Sequence, residues 1–276
     1  MKLRWPVNGD AEAREQGTVP NDTHSRLIRD QFTRQAMPFS TASPITDAVA
    51  LQMIVDAAAP GPADTLLDVA CGGGIVVCAF APHVQQATGI DMTPAMLDRA
   101  RALAAEKQVV NVGWREGDVT ALPYPDGAFT IVVTRFAVHH FPDPSAVIHE
   151  MVRVCAPGGR VIVVDTCASP DPVKAAEFNR LEKLRDPSHI RALSLAELQG
   201  LFDRAGLGEP RVAFSELRDE VRNLLARSFP NPGDEAEIVD MFAASAENDS
   251  LGIPVRRDGE RIEYAYPVAI LAARRH

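Results

Sequence analysis

The fold is decided by the stretch Leu66-Leu67-Asp68-Val69-Ala70-Cys71-Gly72-Gly73-Gly74, in which an apolar run ends in three consecutive glycines. The run from Thr65 to Val69 has the length and the apolar character of a buried strand. The glycines predict a sharp turn, and the apolar segment from Ile75 to Phe80 predicts a helix after it. In open α/β sheets, ligands bind where strands end in such turns, since glycine leaves space beside the backbone. We therefore expect a cofactor to lie over this turn.

Strand and helix signals alternate along the chain beyond this turn. Further strands are predicted over residues 86–90, 111–115, 128–134 and 160–164, and helices are predicted to begin at Thr93-Pro94 and at Ser145. Such alternation implies βαβ units. The sequence therefore predicts an α/β fold with a Rossmann-like, mostly parallel, seven-stranded sheet, helices on both faces and a final antiparallel strand over residues 264–272. A hairpin is expected at Asp258-Gly259 before that strand.

The chain is expected to form a single domain over residues 22–276, after a mobile, polar N-terminal leader over residues 1–21. Within this domain we expect cap helices over residues 22–60 and a cofactor-binding core over 61–170. Helices inserted after strand five should form the acceptor side over residues 171–255, and the final strands should follow over 256–276. The first helix should begin after Asp22 and end at Pro38, the second should span residues 44–58, and residues 216–245 should be mostly helical.

Composition disfavours several classes of function. The 276 residues carry 28 Lys and Arg against 37 Asp and Glu, a net charge of -9, which argues against nucleic acid as the substrate. The longest apolar run is far shorter than a membrane helix requires, so no membrane span is expected. Cys71, Cys78, Cys155 and Cys167 show neither CxxC nor zinc spacing. They predict no metal site and favour a reducing, cytoplasmic location.

The glycine turn can be interpreted as a site for more than one kind of ligand. A loop that binds a nucleoside triphosphate needs Gly-Lys followed by Ser or Thr, and this turn lacks that sequence. A turn that binds a dinucleotide cofactor needs a third glycine at the position where this chain has Ile75. Dinucleotide binding is therefore a weaker interpretation. The remaining interpretation rests on the spacing Asp68-x-Ala70-x-Gly72-x-Gly74. The structural alternative is a glycine-rich turn that holds no ligand.

The spacing Asp68-x-Ala70-x-Gly72-x-Gly74 resembles motif I of class I S-adenosylmethionine (SAM)-dependent methyltransferases, with Ala70 in place of the usual first glycine. Residues 122–130 resemble the segment before strand four of the type-11 subfamily, which is similar to quinone-biosynthesis methyltransferases, although Thr130 replaces the usual Asp. Residues 152–160 resemble that family's turn before strand five. The resemblance covers roughly residues 45–165. It implies SAM as the cofactor and S-adenosylhomocysteine (SAH) as its product.

Acids at strand ends predict how the cofactor is held. Asp91 ends the second strand about 20 residues beyond the glycine turn, the spacing at which a carboxylate can take both ribose hydroxyls. The resemblance implies that Asp118 accepts from the adenine amino group and that the backbone after it reaches the ring. The expected cofactor-binding residues are Asp68, Ala70, Cys71, Gly72, Gly74, Asp91, Met92, Met96, Gly117, Asp118, Val119 and Arg135.

Histidines after the fourth strand are the candidate catalytic residues. His139 and His140 lie where strand ends face the cofactor, and an imidazole can orient an acceptor or take its proton. A capping or packing role is the structural alternative. Residues 31–39 resemble the helix that covers the SAM pocket in this family, and a polar loop after strand five could form a lid. The expected substrate-binding residues are Phe39, His140, His189 and Arg191.

Methyl transfer from SAM to an oxygen, nitrogen or carbon nucleophile of a small-molecule metabolite is the expected function. The alternatives are a lyase or pericyclase that keeps SAM bound, a non-catalytic SAM-binding protein and, last, a nicotinamide dehydrogenase. A prenylated quinone acceptor is not supported, because the terminal segments show no resemblance to that branch. The expected partner is a small-molecule acceptor, and a homodimer is one option for the assembly.

Overall fold

The computed structural model describes residues 22–276, and the predicted leader over residues 1–21 lies outside them. The strands are β1 Thr65–Val69, β2 Gln86–Asp91, β3 Val112–Glu116, β4 Phe129–Arg135, β5 Cys155–Thr166, β6 Arg211–Glu220, β7 Val255–Asp258 and β8 Arg261–Arg274. The α-helices are α1 Thr23–Thr41, α2 Ala48–Ala58, α3 Ile75–Phe80, α4 Pro94–Glu106, α5 Pro144–Val154, α6 Pro172–Arg185, α7 Leu195–Arg204, α8 Val221–Ser228 and α9 Asp234–Asn248. None of these described helices combines the length and the apolar character that crossing a bilayer requires.

All of these strands belong to one sheet, in the order β3-β2-β1-β4-β5-β8-β6, with the short β7 pairing with β8. The first five strands pair in parallel, whereas β8 is antiparallel to β5, β6 and β7. The predicted Rossmann-like sheet with a final antiparallel strand is therefore confirmed, although the described residues form eight strands and not the predicted seven. The additional strand is the short β7, which the predicted hairpin joins to β8. The connection that leaves the carboxyl end of β1 runs to β2, whereas the one that leaves β4 runs to β5 on the opposite side. Ligands bind in such sheets at the crevice between two strands of this kind.

Apolar side chains pack on both faces of the sheet, because buried strands carry them on alternating sides. On one face, Leu66 and Ile131 belong to a core that includes side chains of α2, α3, α6 and α9. On the other face, Leu67 and Val132 pack with side chains of α5 and α7. All four strand residues are fully buried. The two cores hold the sheet rigidly and so fix the positions of the strand ends.

Two helix boundaries near the N-terminus differ from those predicted. α1 continues through Pro38 for a further turn and does not end at the proline. Proline removes one backbone donor, but tertiary contacts can hold the turns beyond it, and the added turn carries Ser40 against the glycine turn. α2 begins at Ala48 and not at residue 44, because the Asp47 carboxylate caps the helix by accepting a backbone N–H at 2.7 Å.

The prediction of a mostly helical segment over residues 216–245 is wrong at its start. β6 extends to Glu220 and pairs with β8 in continuous register, in which Leu217 is the partner of Tyr266. α8 and α9 begin only after this strand. β6 lies at the edge of the sheet, where charged side chains are tolerated and conceal the strand pattern. The expected acceptor-side segment over residues 171–255 therefore contains an edge strand as well as helices.

Gly74 is a packing glycine at the start of α3. Its φ of 76° is left-handed, and a Cβ added there would lie 2.5 Å from the Trp114 ring and 2.8 Å from Ala100. Glycine therefore allows α3 to approach β3 and α4 more closely than any other residue would.

We expect Gly74→Ala to lower the free energy of unfolding by about 1–2 kcal/mol because of the left-handed backbone. The contact with Trp114 should add a further ~1–3 kcal/mol. Gly208→Ala is the matched control, because its φ is 70° but no atom of the described residues lies within 4 Å of an added Cβ. Urea unfolding of both variants measures the difference, and equal losses would contradict the packing role of Gly74.

Candidate functional site

A cavity of about 320 Å³ opens at the carboxyl ends of β1, β2 and β4. One wall comes from α1, which contributes His24, Phe32 and Phe39, and the strand ends form the floor. The expected cofactor-binding residues that line the cavity are Asp68, Ala70, Cys71, Gly72, Asp91, Met92, Met96, Asp118, Val119 and Arg135. The fold thus brings together residues that are widely separated in the sequence.

The turn after β1 leaves its backbone open to this cavity. Ala70 and Gly72 have left-handed φ angles of 58° and 49°. A Cβ added to Gly72 would have one neighbour within 4 Å in the described part of the chain, Met96 Sδ at 3.9 Å. Gly74 and Gly117 do not line the cavity: Gly74 packs on β3, and a Cβ on Gly117 would lie 2.9 Å from an isoleucine of β2. The expectation that these two hold the cofactor is corrected to a packing role.

The Asp91 carboxylate is buried at the end of β2, where the residue is 8% exposed. One of its oxygens accepts from the Gly72 N–H at 2.9 Å, and the other accepts from the Thr93 N–H at 2.8 Å. Burial raises the pKa of Asp91, and the two N–H groups oppose that shift by stabilising the charged form. Each oxygen has a further lone pair, so the carboxylate can also accept hydroxyl protons of a ligand in the cavity.

Asp68 and Arg135 contribute opposite charges to the same floor. Burial raises the pKa of the Asp68 carboxyl well above its usual range, against the opposing charge of Arg135. Burial also lowers the pKa of Arg135 to about 10. The Nη1 of Arg135 donates to the carbonyl of Ile45 at 3.0 Å, whereas its buried Nε has no partner among the described residues. A buried donor without an acceptor is costly, so this corner of the cavity suits a ligand that carries a carboxylate.

His140 is a buried, neutral imidazole between two cavities. Its Nδ1 lies 3.1 Å from the Ser188 carbonyl oxygen. Because a carbonyl only accepts, we assign the proton to Nδ1, which leaves a lone pair on Nε2. Burial and the neighbouring charge of His139 lower the pKa of His140 to about 4. The Phe32 ring contacts the imidazole edge to face, with 5.1 Å between centroids. This imidazole can therefore accept a hydrogen bond but holds a proton poorly near neutral pH.

His139 forms a buried pair with Asp165. Its Nδ1 lies 2.6 Å from one carboxylate oxygen, and its backbone N–H donates to the other at 3.3 Å. Burial alone would lower the pKa of His139, but the Asp165 carboxylate outweighs it and raises the pKa. His139 lines a smaller cavity of about 60 Å³ that adjoins the first, because both cavities are lined by Phe39, Phe136 and His140.

The predicted substrate-binding residues His189 and Arg191 lie outside both cavities. The Nε2 of His189 bonds to the Asn179 side-chain oxygen at 2.9 Å, and the residue is 1% exposed. Arg191 is exposed and forms an ion pair with Glu197. The backbone N–H of Arg191 instead donates to the His139 carbonyl at 3.0 Å. This loop therefore supports the turn that carries His139, and the expectation that its side chains bind substrate is corrected.

Two residues at the site were not predicted from the sequence. His24 of α1 lines the larger cavity, and its Nε2 lies 2.8 Å from the His140 carbonyl oxygen. No local pattern indicates this role, because α1 reaches the site only through tertiary packing. Asp165 could have been found, since it is an acid near the end of a strand, as Asp91 is. The His139, His140 and His189 rings cluster here, but no metal-binding group of His, Cys, Asp and Glu is found in residues 22–276.

Comparison with known proteins gives a consistent result. Residues 67–163 match a family model described as a methyltransferase domain. The chain is 30% identical over 242 residues to the uncharacterised methyltransferase YcgJ of Bacillus subtilis. This alignment covers 87% of this chain and 96% of YcgJ. The crystal structure of YcgJ superposes with a TM-score of 0.74 at 29% identity, covering 83% of this chain and 98% of that one.

Two further similarities are more distant. The ubiquinone/menaquinone biosynthesis C-methyltransferase UbiE of Cereibacter sphaeroides is 29% identical over 170 residues, which cover 59% of this chain and 68% of UbiE. The geranyl diphosphate C-methyltransferase of Streptomyces coelicolor, solved with SAH, has a TM-score of 0.59 at 19% identity, covering 83% of this chain and 79% of that one. This last likeness concerns the fold alone.

We expect the two adjacent histidines to titrate far apart. His140 should stay neutral down to about pH 4, whereas His139 should keep its proton above pH 6.5, the ordinary value. Two-dimensional ¹H–¹⁵N spectra of the imidazoles measure both pKa values.

Since the folded-state pKa of His139 is raised, its pairing with Asp165 stabilises the fold at low pH, and this contribution is lost as pH rises through the raised value. Asp165→Asn should lower the His139 pKa, and a His139 that titrates below His140 would contradict the assignment.

Proposed function

Because the chain belongs to the SAM-dependent methyltransferases, we propose that it methylates a small molecule bound between Phe39 and His140. The observation that carries this proposal is the cavity itself. The Asp91 carboxylate and the open backbone of Gly72 line this cavity, and so do the rings of Phe32, Phe39 and His140. The first two features suit an adenosyl amino acid, and the rings suit an acceptor.

We propose that SAM binds in the larger cavity. We propose that Asp91 accepts both ribose hydroxyls and that Asp118 with Val119 contacts the adenine. Arg135 would bind the carboxylate of the amino-acid portion, since its buried Nε lacks an acceptor in the described residues. Asp68 would bind the amino group. The residues that would pack on the remaining surface of the cofactor are Ala70, Cys71, Met92 and Met96.

SAM, when bound, supplies a methyl group on a positively charged sulfur, which makes that methyl electrophilic. The task left to the protein is to hold the acceptor close and in line, away from water. Phe39 and Phe136 line both cavities and would exclude water around the acceptor. His140 would accept a hydrogen bond from the acceptor through Nε2, because its proton is engaged on the other nitrogen. We propose that this bond sets the direction of the acceptor atom.

We also propose that the protein works in a reducing compartment such as the cytoplasm. Its four cysteines, Cys71, Cys78, Cys155 and Cys167, are free and buried. The net charge of -9 supports a small-molecule acceptor over nucleic acid. The homodimer stays a prediction.

We expect methyl transfer to be confined to small molecules. The protein would be incubated with trideuteromethyl-labelled SAM and, in parallel, with a metabolite library, transfer RNA and a protein extract. Mass spectrometry should find the label in a small molecule only. Label in RNA or protein would contradict the proposed acceptor class. A converted metabolite that lacks the label would show that the reaction is not methyl transfer.

We expect Asp91→Asn to weaken SAH binding by about a hundredfold, because charge-assisted hydrogen bonds to the ribose are lost, each worth ~1.5–3 kcal/mol. Isothermal titration calorimetry measures the affinity, and the melting temperature shows whether the fold survives. Asp98→Asn is the matched control, because Asp98 is exposed and paired only with Arg101 in the described residues. Equal affinities for the two variants would refute the role of Asp91.

A further inference from the structure

We propose that the methyl acceptor carries, apart from the atom that is methylated, an uncharged carbonyl group, as a carboxamide does, and that Arg227 and Tyr264 bind its oxygen in the smaller cavity. This inference rests on the proposed function and adds the chemical class of the acceptor to it. It starts from hydrogen-bond donors of the smaller cavity that have no acceptor among the described residues, because a buried donor without an acceptor is costly.

The smaller cavity is a polar chamber that adjoins the larger one. Its volume of about 60 Å³ leaves room for roughly four or five water-sized groups, which is enough for a carboxamide. The two cavities share the side chains of Phe32, Phe39, Phe136 and His140, which surround the proposed position of the acceptor. A substituent on an acceptor held between these rings would therefore extend into the chamber.

Two guanidinium groups line the chamber. The Arg227 guanidinium pairs with the Asp219 carboxylate and donates through Nη2 to the Tyr264 hydroxyl oxygen at 3.2 Å. The Arg185 guanidinium pairs with Glu182 at 2.7 Å. A guanidinium has five N–H donors, and no described residue accepts from the other N–H groups of Arg227. Arg227 is 8% exposed, so these donors are available to a ligand in the chamber.

The Tyr264 hydroxyl is a second donor on the chamber wall. Its oxygen accepts from Arg227, but no acceptor among residues 22–276 takes its proton. Burial raises the pKa of Tyr264, so the hydroxyl keeps this proton and can donate it. Because Arg227 and Tyr264 contact each other, both can donate to one ligand oxygen, and a carbonyl oxygen has two lone pairs with which to accept.

Gln35 of α1 contributes an acceptor to the same chamber. Its Nε2 donates to the Asp186 carboxylate at 3.2 Å and to the Ser228 carbonyl at 3.1 Å. Because both partners only accept, the amide nitrogen must face them, which leaves Oε1 without a donor among the described residues. A ligand N–H would satisfy this oxygen, so a carboxamide suits the chamber better than a ketone does.

The charges around the chamber are already balanced, which favours an uncharged ligand. Each cation lies beside a carboxylate, in the pairs Arg227–Asp219, Arg185–Glu182 and His139–Asp165. Asp186 adds a further carboxylate, which accepts from Ser188 and Gln35. A carboxylate substituent would therefore meet more acids than bases, whereas an ammonium group would meet the Arg185 and Arg227 guanidinium groups.

The chamber is built from parts of the chain that the family does not define. The methyltransferase domain model matches residues 67–163. The chamber residues with these donors, acceptors and charges lie before or after that range: Gln35, Arg185, Arg227 and Tyr264. Replacing buried ion pairs by apolar side chains often stabilises a fold, so stability does not account for them. A site that hydrogen-bonds a substrate group strongly rejects analogues that lack the group, and this selection is the role that we assign to the chamber.

Binding of benzamide to the full chain saturated with SAH tests this inference. Benzoate, benzylamine and toluene have the same ring but carry a negative charge, a positive charge or no polar group. We expect benzamide to bind at least about tenfold more tightly than each of the others, because only benzamide has an uncharged carbonyl. Titrations followed in ¹H–¹⁵N spectra measure the affinities. A shift of the His139 imidazole signals would show that benzamide lies at the chamber, since His139 is part of its wall.

Arg227→Met should lower the affinity for benzamide about tenfold and leave the affinity for toluene unchanged, because only benzamide has an oxygen that accepts from the guanidinium. Arg222→Met is the matched control, because Arg222 lies on the same helix, is exposed and pairs with Glu220. Equal affinities of the two variants for benzamide would overturn the inference.

A second variant covers the case in which Arg227→Met does not fold, since that substitution leaves the Asp219 carboxylate without its partner. Tyr264→Phe removes a single hydroxyl group, and the melting temperature shows whether the fold survives. We expect Tyr264→Phe to lower the affinity for benzamide about threefold to tenfold and to leave the affinity for toluene unchanged. Unchanged binding of benzamide in Tyr264→Phe would contradict the role of the hydroxyl.

Calorimetry with SAH separates this inference from the proposed function. Unchanged SAH affinity in both variants, together with weaker benzamide binding, supports the inference. SAH binding to the wild-type protein without any preference for benzamide, or without binding of any probe, would overturn the inference and leave the cofactor site in place. So would tighter binding of benzoate or benzylamine. A wild-type protein that does not bind SAH would contradict the proposed function, and the inference with it.

Discussion

The cavity at the carboxyl edge of the sheet depends on one buried carboxylate. Asp91 accepts the backbone N–H groups of Gly72 and Thr93 with separate oxygens, and so ties the turn after β1 to the turn after β2. A buried charge is tolerated only where hydrogen bonds replace its hydration. Each such charge-assisted bond contributes ~1.5–3 kcal/mol. These bonds align the lone pairs that remain on Asp91 with the cavity, before any ligand arrives.

The glycines of the β1 turn serve different physical purposes. Gly72 faces the larger cavity, into which a side chain would intrude. Gly73 allows α1 to lie across the turn, since an added Cβ would be 2.9 Å from the Cβ of Ser40. Gly74 allows α3 to pack against β3 and α4. The same short stretch therefore shapes the cavity, allows α1 to lie against it and sets the position of the helix behind it, which explains why three glycines occur in succession.

The sequence predicted the strand-end part of the site better than the parts that come from helices and loops. Asp91 follows from strand order, because the carboxyl ends of parallel strands meet at one edge, whereas Asp118 was expected from the family resemblance. His189 and Arg191 were wrongly expected to bind substrate, because sequence cannot say which way a loop faces. His24 had no local signal. The partner of His139 lies 26 residues away on β5, and only the parallel pairing of β4 with β5 makes them neighbours.

The most direct test of this account is a crystal structure of the chain with SAH. We predict that both ribose hydroxyls donate to the Asp91 carboxylate while its bonds to the Gly72 and Thr93 N–H groups are retained. SAH bound elsewhere, or a ribose that makes no contact with Asp91, would contradict the central claim.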